Sequence, residues 1–438
     1  MKLRLIKLRD KLADSFWFLP ALMAIFAAGS ALGTVALDHG IGSDWVKNIG
    51  WVWSGGADGA RAVLSVIAGS VMTVVSIVFS LTISTLSQNS AHYGPRVLRN
   101  FTSDRRVQFT LGTFIATFVY CLLVLRTVRS VEETGFVPYL AVNIGVLLAL
   151  ASLAVLIFFI HYVSQIIQAE NLIADVGRDF QLTLPILFPD RIGENKVPKH
   201  QADEINWEAA QKLKAKENGY LLRVDDEQLM DLATEHDLIL RLEKRPGEFV
   251  ARDVPLLRVL APGGLPEEVA DALRDCYSVG RHRTPHQDAL YSLQQLVEIA
   301  AHALSPGINE PFTAQTCIDW LGASLRGVMR SELPLPQRYD GEGNLRVLAN
   351  PLTFDEIART AFEQIRIYGA NNPAILVCLL NTIESLAPDL RRASDRDTLR
   401  HHAEFIRADA TQIQNKNDQE RVTEHVEKAL HALAAEYS

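Results

Sequence analysis

The run that follows Arg61 limits the possible folds more than any other stretch. From Ala62 to Ser87 it is apolar, and a row of small and hydroxyl side chains crosses it: Ser65, Gly69, Thr73, Ser76, Ser80, Ser84 and Ser87. Successive members are three or four positions apart, so a helix would set them on one face, with Val66, Val71, Val74, Ile77, Phe79 and Leu81 around the rest of the circumference. At 1.5 Å per residue the row is about 33 Å long, close to the thickness of a bilayer's hydrocarbon core. Hydroxyls spaced this way serve either to pack one membrane helix against another or to line a polar path.

Three further stretches have the same length and character, giving spans at about 15–37, 62–87, 107–125 and 137–160. The first is too long for a signal-peptide core and is read as retained. Gly29 and Gly33 in it, with Ala27, Ala28 and Ala31, form a small-xxx-small surface suited to close helix packing. Residues 1–14 are a basic, partly amphipathic lead, and Trp45, Trp51 and Trp53 in the loop after the first span are typical of a membrane interface. Lys and Arg number five before the first span and four between the second and third, against two in each of the other loops, so both termini are expected in the cytoplasm. No Asp, Glu, Lys, Arg or His lies well inside a span, which speaks against an ion-coupled pump.

Beyond residue 160 the composition turns polar. Residues 161–216 read as a helical extension and linker, 217–262 as a small β-rich module, and 263–438 as a helical domain. The fold class expected is mainly α: a four-helix transmembrane domain plus a cytoplasmic α+β region. The segment RPGEFVARDVPLLRVL has the look of the return hairpin of a barrel-sandwich domain, read as structural because no modifiable lysine sits at a hairpin tip. Pro334 to Pro351 reads as a loop. A net charge of -8 argues against nucleic acid as a partner. The four cysteines, Cys121, Cys276, Cys317 and Cys378, have no CxxC spacing and suggest neither a disulfide framework nor a zinc site.

Two segments, VFSLTISTLSQNSAHYGPRVLRNF and RHRTPHQDALYSLQQLVEIAAHALSPGINEPFTAQTCIDWL, resemble the signatures of a bacterial domain-of-unknown-function family of predicted membrane proteins. The resemblance covers nearly the whole chain. It implies a membrane-embedded first half and a soluble second half, and supplies no activity, cofactor or catalytic residue.

Ser305 to Pro311 breaks one helix and starts another, with Asn309 placed to cap and Glu310 near a helix start. One reading is a sharp structural corner; the other is a ligand or ion site built from Gln287, Asp288, Asn309, Glu310 and Asp319. His282 and His286 flank Pro285, which disfavours a metal-binding pair, and His401 and His402 read as solvated on a charged helix. With no P-loop, GxGxxG, HExxH or GxSxG and no paired base and nucleophile, no enzyme activity, metal or cofactor is expected.

Two functions fit. The first is a passive channel or permeation pathway in the inner membrane: several copies set the hydroxyl row around an axis, Arg96 and Arg99 crowd the cytoplasmic mouth, and the soluble half regulates. The second is a membrane-anchored ligand sensor or scaffold without transport. The partners expected are the lipid bilayer, further copies of the chain and an unidentified small ligand or ion.

Overall fold

A computed structural model describes residues 16–41, 56–93, 104–128, 136–166, 168–187, 205–285 and 287–434. The basic lead, Trp45, Trp51, Trp53, Arg96, Arg99, His286 and most of the linker lie outside them. The chain divides into two compact units, residues 1–168 and 169–438.

The first unit holds four helices: α1 (Phe18–Ile41), α2 (Ala57–Tyr93), α3 (Arg105–Thr127) and α4 (Tyr139–Ile166). Each contains a stretch long and apolar enough to cross a membrane. They coincide with the four expected spans but run a few residues further at most ends, α2 the furthest. The helices differ in how much they bury. In α3 more than half of the apolar window is buried, against about a fifth or less in the other three, so α3 is the axis on which the rest pack. Gly112 shows how close that packing is, since a Cβ there would lie 2.4 Å from Met23 Sδ of α1. Val107, Leu111, Phe114, Tyr120, Cys121 and Val124 form its buried side, meeting Ala27 and Ala31 of α1, Leu64, Val71 and Val78 of α2, and Val142 and Phe159 of α4. On α1 the inward positions are Ala27 and Ala31, whereas Gly29 and Gly33 face outward with nothing within 4 Å of a notional Cβ.

Polar groups buried between these helices find neutral partners. Thr117 Oγ1 and Ser152 Oγ are 3.0 Å apart, and Tyr120 Oη lies 3.0 Å from Thr34 Oγ1 while donating to the Ala141 carbonyl at 3.1 Å. Among the described residues of this unit one carboxylate is buried: Asp38, near the end of α1, accepts from the backbone N–H groups of Leu140 and Ala141 at 3.0 and 2.9 Å. It satisfies the first turn of α4 from another helix, the role usually taken by a residue in the helix's own sequence.

The second unit opens with α5 (Ala169–Leu187), which lies against the helices Leu290–Ala303 and Pro311–Arg330; Gly177 allows the approach, because a Cβ there would meet the Trp320 ring at 2.3 Å. Strands β1 (Gln211–Lys214), β2 (Gly219–Val224), β3 (Ile239–Leu242), β4 (Phe249–Val250), β5 (Pro255–Leu260) and β6 (Tyr277–Gly280) follow, with α6 (Asp226–Glu235) and α7 (Glu267–Asp275) between them. After α8 (Leu290–Ala303) and α9 (Pro311–Arg330) come β7 (Gln337–Tyr339) and β8 (Leu345–Leu348), then α10 (Phe354–Gly369), α11 (Pro373–Leu386), α12 (Ala393–Ala410) and α13 (Lys416–Ala434). One sheet has the order β1-β5-β3-β8-β7, the other β4-β2-β6. All pairs are antiparallel except β3 with β8. Leu213, Leu221, Leu240, Leu257, Val259 and Val347 from the two sheets, with Leu229 and Leu273 from α6 and α7, share one apolar core.

The segment expected as a loop at Pro334 to Pro351 is the β7–β8 hairpin. Its turn is organised by Asp340, whose carboxylate accepts from the N–H groups of Glu342 and Asn344, and Gly343 supplies a φ of +81°. Such short strands offer little periodicity, and β8 is specified by pairing with β3 about a hundred positions away. The helix starts were better marked: the Thr353 and Glu356 capping box on α10 and Asn372 before Pro373 on α11.

Candidate functional sites on the second helix and in the soluble motif

The two segments singled out in the sequence sit in different units and are described separately. In α2 the whole row of Ser65, Gly69, Thr73, Ser76, Ser80, Ser84 and Ser87 is exposed. The inward face is carried by Ala60, Leu64, Ala68, Val71, Val78, Thr82 and Thr85. The row is therefore not the seam that holds this helix to α1, α3 or α4. Thr73 and Ser76 meet their hydrogen-bonding needs within the helix, donating to the carbonyls of Gly69 and Met72 at 3.1 and 3.2 Å. Bulky Val66, Met72, Ile77, Phe79, Leu81 and Ile83 are also exposed, so the small residues form a shallow furrow between two ridges. Such a furrow allows another helix's backbone to approach closely.

In the second motif the five candidate residues do not converge. Gln287 and Asp288 precede α8, whereas Asn309 and Glu310 follow it; the 14 residues of α8 separate the pairs by about 20 Å. Asp319 lies a further two turns along α9 and is exposed.

Gln287 works as a strand-end clamp: its Oε1 accepts from Val224 N–H at 2.9 Å and its Nε2 donates to the Val224 carbonyl at 3.1 Å. Asp288 is buried and receives two bonds from Arg283, Nε to Oδ2 at 2.6 Å and Nη2 to Oδ1 at 2.8 Å. The N–H of Leu290 adds a third at 3.2 Å. Arg283 also donates to Gln294. Gly247 completes the arrangement, because a Cβ on it would lie 2.4 Å from Asp288 Cγ and its φ is +92°. Both of these side chains are thus engaged in joining β2, the 245–248 turn and α8. Arg283 and Gly247 were not singled out from the sequence. The glycine of the Arg-Pro-Gly turn was visible as a turn residue, but its closeness to Asp288 depends on tertiary structure.

Asn309 takes the left-handed conformation, φ +52°, and its N–H donates to the Ser305 carbonyl at 2.9 Å. The N–H of Glu310 reaches the Ala303 carbonyl at 2.8 Å. Asn309 therefore closes the 305–309 turn that follows α8 and its cap Leu304, rather than capping α9, whose cap position is Glu310 with Pro311 following. The asparagine suits this because its short amide tolerates the left-handed region. Glu310 and Phe312 are exposed, Phe312 to 79%.

Among the histidines expected in solvent, His401 is exposed but His402 is not. It packs edge-on against Phe362, and burial pushes its pKa down to about 4. The helical period of α12 explains this: Leu399, His402, Ala403 and Ile406 form its inward side. Burial also pushes the thiols of Cys276 and Cys378 up to about 12, leaving them protonated at neutral pH. Among the described residues no three His, Cys, Asp or Glu side chains gather as metal ligands would.

Comparison with known proteins adds a lineage to this geometry. An uncharacterised protein of Mycobacterium tuberculosis strain H37Rv is 29% identical over 425 residues, covering 94% of this chain and 80% of the relative. An uncharacterised protein of Mycobacterium bovis matches to the same extent. No solved structure matches. The family match rests on more than the two signature segments, since it begins just before the first span and continues through α11; over residues 13–385 this chain belongs to the predicted membrane protein family DUF2254.

Proposed function

We propose that this protein is an oligomeric inner-membrane protein in which the hydroxyl face of α2 meets the same face of other copies and lines a passive path, regulated by the soluble half. The observation that supports this is the exposure of all seven residues of the row on a helix whose other face is already packed. A furrow of small residues favours helix-to-helix approach, and spare hydroxyl lone pairs give the resulting lining polarity without fixed charge. The charge asymmetry of the loops orients α2 from outside to inside, so Arg96 and Arg99 stand at the cytoplasmic mouth and bias it toward anions. No enzymatic step is part of this reading. Residues 217–262 act in it as a barrel-sandwich-like structural module, supported by strands shared between two sheets on one core.

The test is the mass of the purified protein together with ion flux in proteoliposomes, for the native chain and for Ser76→Leu with Ser80→Leu. A closed ring of three or more copies and a flux lost in the double variant are expected. A monomer or dimer without flux rejects the proposal.

A second reading is a membrane-anchored sensor or scaffold, favoured by the exposed Phe312 beside Glu310 at the α8–α9 corner. Under it, a thermal-shift screen of the full chain against nucleotides and divalent ions shows stabilisation that Glu310→Ala removes, while the proteoliposomes stay tight.

A further inference from the structure

At the end of the membrane unit where α3 begins and α4 finishes, a groove of about 510 Å³ runs between these two helices, lined by Arg105, Arg106, Phe109, Ala154, Val155 and Phe158. Its chemistry changes along its length. One end carries two guanidinium groups; the rest is hydrocarbon, with Phe109 and Phe158 each half exposed at its sides. The two arginines differ in freedom. The Arg106 guanidinium lies over the Tyr162 ring, 5.0 Å from its centroid, and Tyr162 donates to Asp104, the cap of α3. Arg105 is exposed and has no hydrogen-bond or ion-pair partner among the described residues.

We propose that this groove binds one anionic phospholipid, its phosphate on Arg105 at the headgroup level and an acyl chain along Phe109, Ala154, Val155 and Phe158. The position carries the argument. Arg105 is the first residue of an apolar helix that can cross a membrane, so its side chain stands where water meets hydrocarbon. A groove that is cationic at that level and apolar below it matches a phospholipid in both charge and depth. Nothing here depends on the pore reading or on which leaflet the groove faces.

The test uses the full chain extracted in detergent and native mass spectrometry with phosphatidylglycerol or phosphatidylcholine added in equal amounts. The native protein should retain one phosphatidylglycerol per chain in preference to phosphatidylcholine. Arg105→Gln should lower that preference about fivefold, the effect of one arginine near an anionic surface. Ala154→Phe, which fills the apolar part, should reduce retention of both lipids. Hydrogen exchange across α3 and α4 checks that each variant keeps its helices, and if Ala154→Phe does not, the exposed Arg105→Gln decides alone. Equal retention of both lipids by the native chain, or an unchanged preference in Arg105→Gln, overturns the proposal. So does displacement of the lipid by inorganic phosphate, which would mean that the arginine binds phosphate without the groove.

Discussion

The two units bury polar atoms by different chemistry. Between α1, α3 and α4 the partners are mostly hydroxyls, phenols and backbone carbonyls; of the carboxylates among the described residues, Asp38 is satisfied by helix N–H groups and Asp104 by the Tyr162 hydroxyl and the first turn of α3. The second unit buries charge against charge: Asp288 with Arg283, Arg346 with Asp340 and Asp237, and Asp395 with Arg392. Solvent explains the difference. A charge surrounded by lipid has no water to fall back on when its pair opens, whereas a soluble domain can bury a pair whose rim stays wet. Within the membrane unit a second contrast appears. Thr117 and Tyr120 of α3 point inward and are paired across helices, while the row on α2 points outward. A hydroxyl-bearing face is therefore not by itself the packing face, and only the buried one holds this chain to itself.

The contrast can be broken most sharply at Asp288. Replacing it with alanine strands Arg283 in a buried position and should cost about 3–5 kcal/mol, read as early loss of protection in β2 and α8 by hydrogen exchange. Acid should come next and act on the second unit. His402, held neutral with a pKa of about 4 against about 6.5 when unfolded, favours the folded state above pH 6.5; that contribution declines as pH falls toward 4, by roughly 3 kcal/mol in all. Glu356, bonded to Arg245 and to the Thr353 N–H, has its pKa lowered to about 2, so its contribution is lost in a lower window, from about 4.5 downward. His402→Leu should flatten the upper window and leave the lower one. The paired hydroxyls of the membrane unit do not titrate in either range.

Smaller effects sharpen the membrane side. Asp38→Ala should cost about 2 kcal/mol, seen as faster exchange confined to the first turn of α4. Thr117→Val should cost about 1 kcal/mol, and adding Ser152→Ala should recover most of it, since removing both partners leaves neither unsatisfied. The smallest change in fold should come from Ser80→Leu, within about 0.5 kcal/mol for the single chain, because the side chain touches no other helix of its own copy. If Ser80→Leu instead unfolds the unit as strongly as Asp38→Ala, the distinction between the inner and outer hydroxyl faces fails.

The legibility of these features in the sequence follows from how local each one is. The four membrane helices were plain, because 20 or so apolar residues in succession have few other uses. So was the fact that Ser65 to Ser87 share a face, a matter of helical period. Which face the fold would bury was not legible, since that depends on α3 lying against Leu64 and Val71 instead of Gly69 and Thr73. The soluble motif behaved likewise. Its corner could be read from Ser305 to Pro311, yet the partners of Asp288 are an arginine five positions earlier and a glycine forty-one positions earlier, and no spacing rule links them. The outward Gly29 and Gly33 belong to the same class: small residues announce a close approach without naming what approaches.

The bond from Asp38 to the start of α4 also has a meaning in time. Its acceptor and donors are 102 and 103 positions apart, so during synthesis at about 5–20 residues per second the carboxylate emerges roughly 5–20 seconds before the amides that will occupy it. In that interval the carboxylate lacks the partners that satisfy it in the folded chain. The arrival of α4 supplies them. The bond thus ties the first of the four spans to the last.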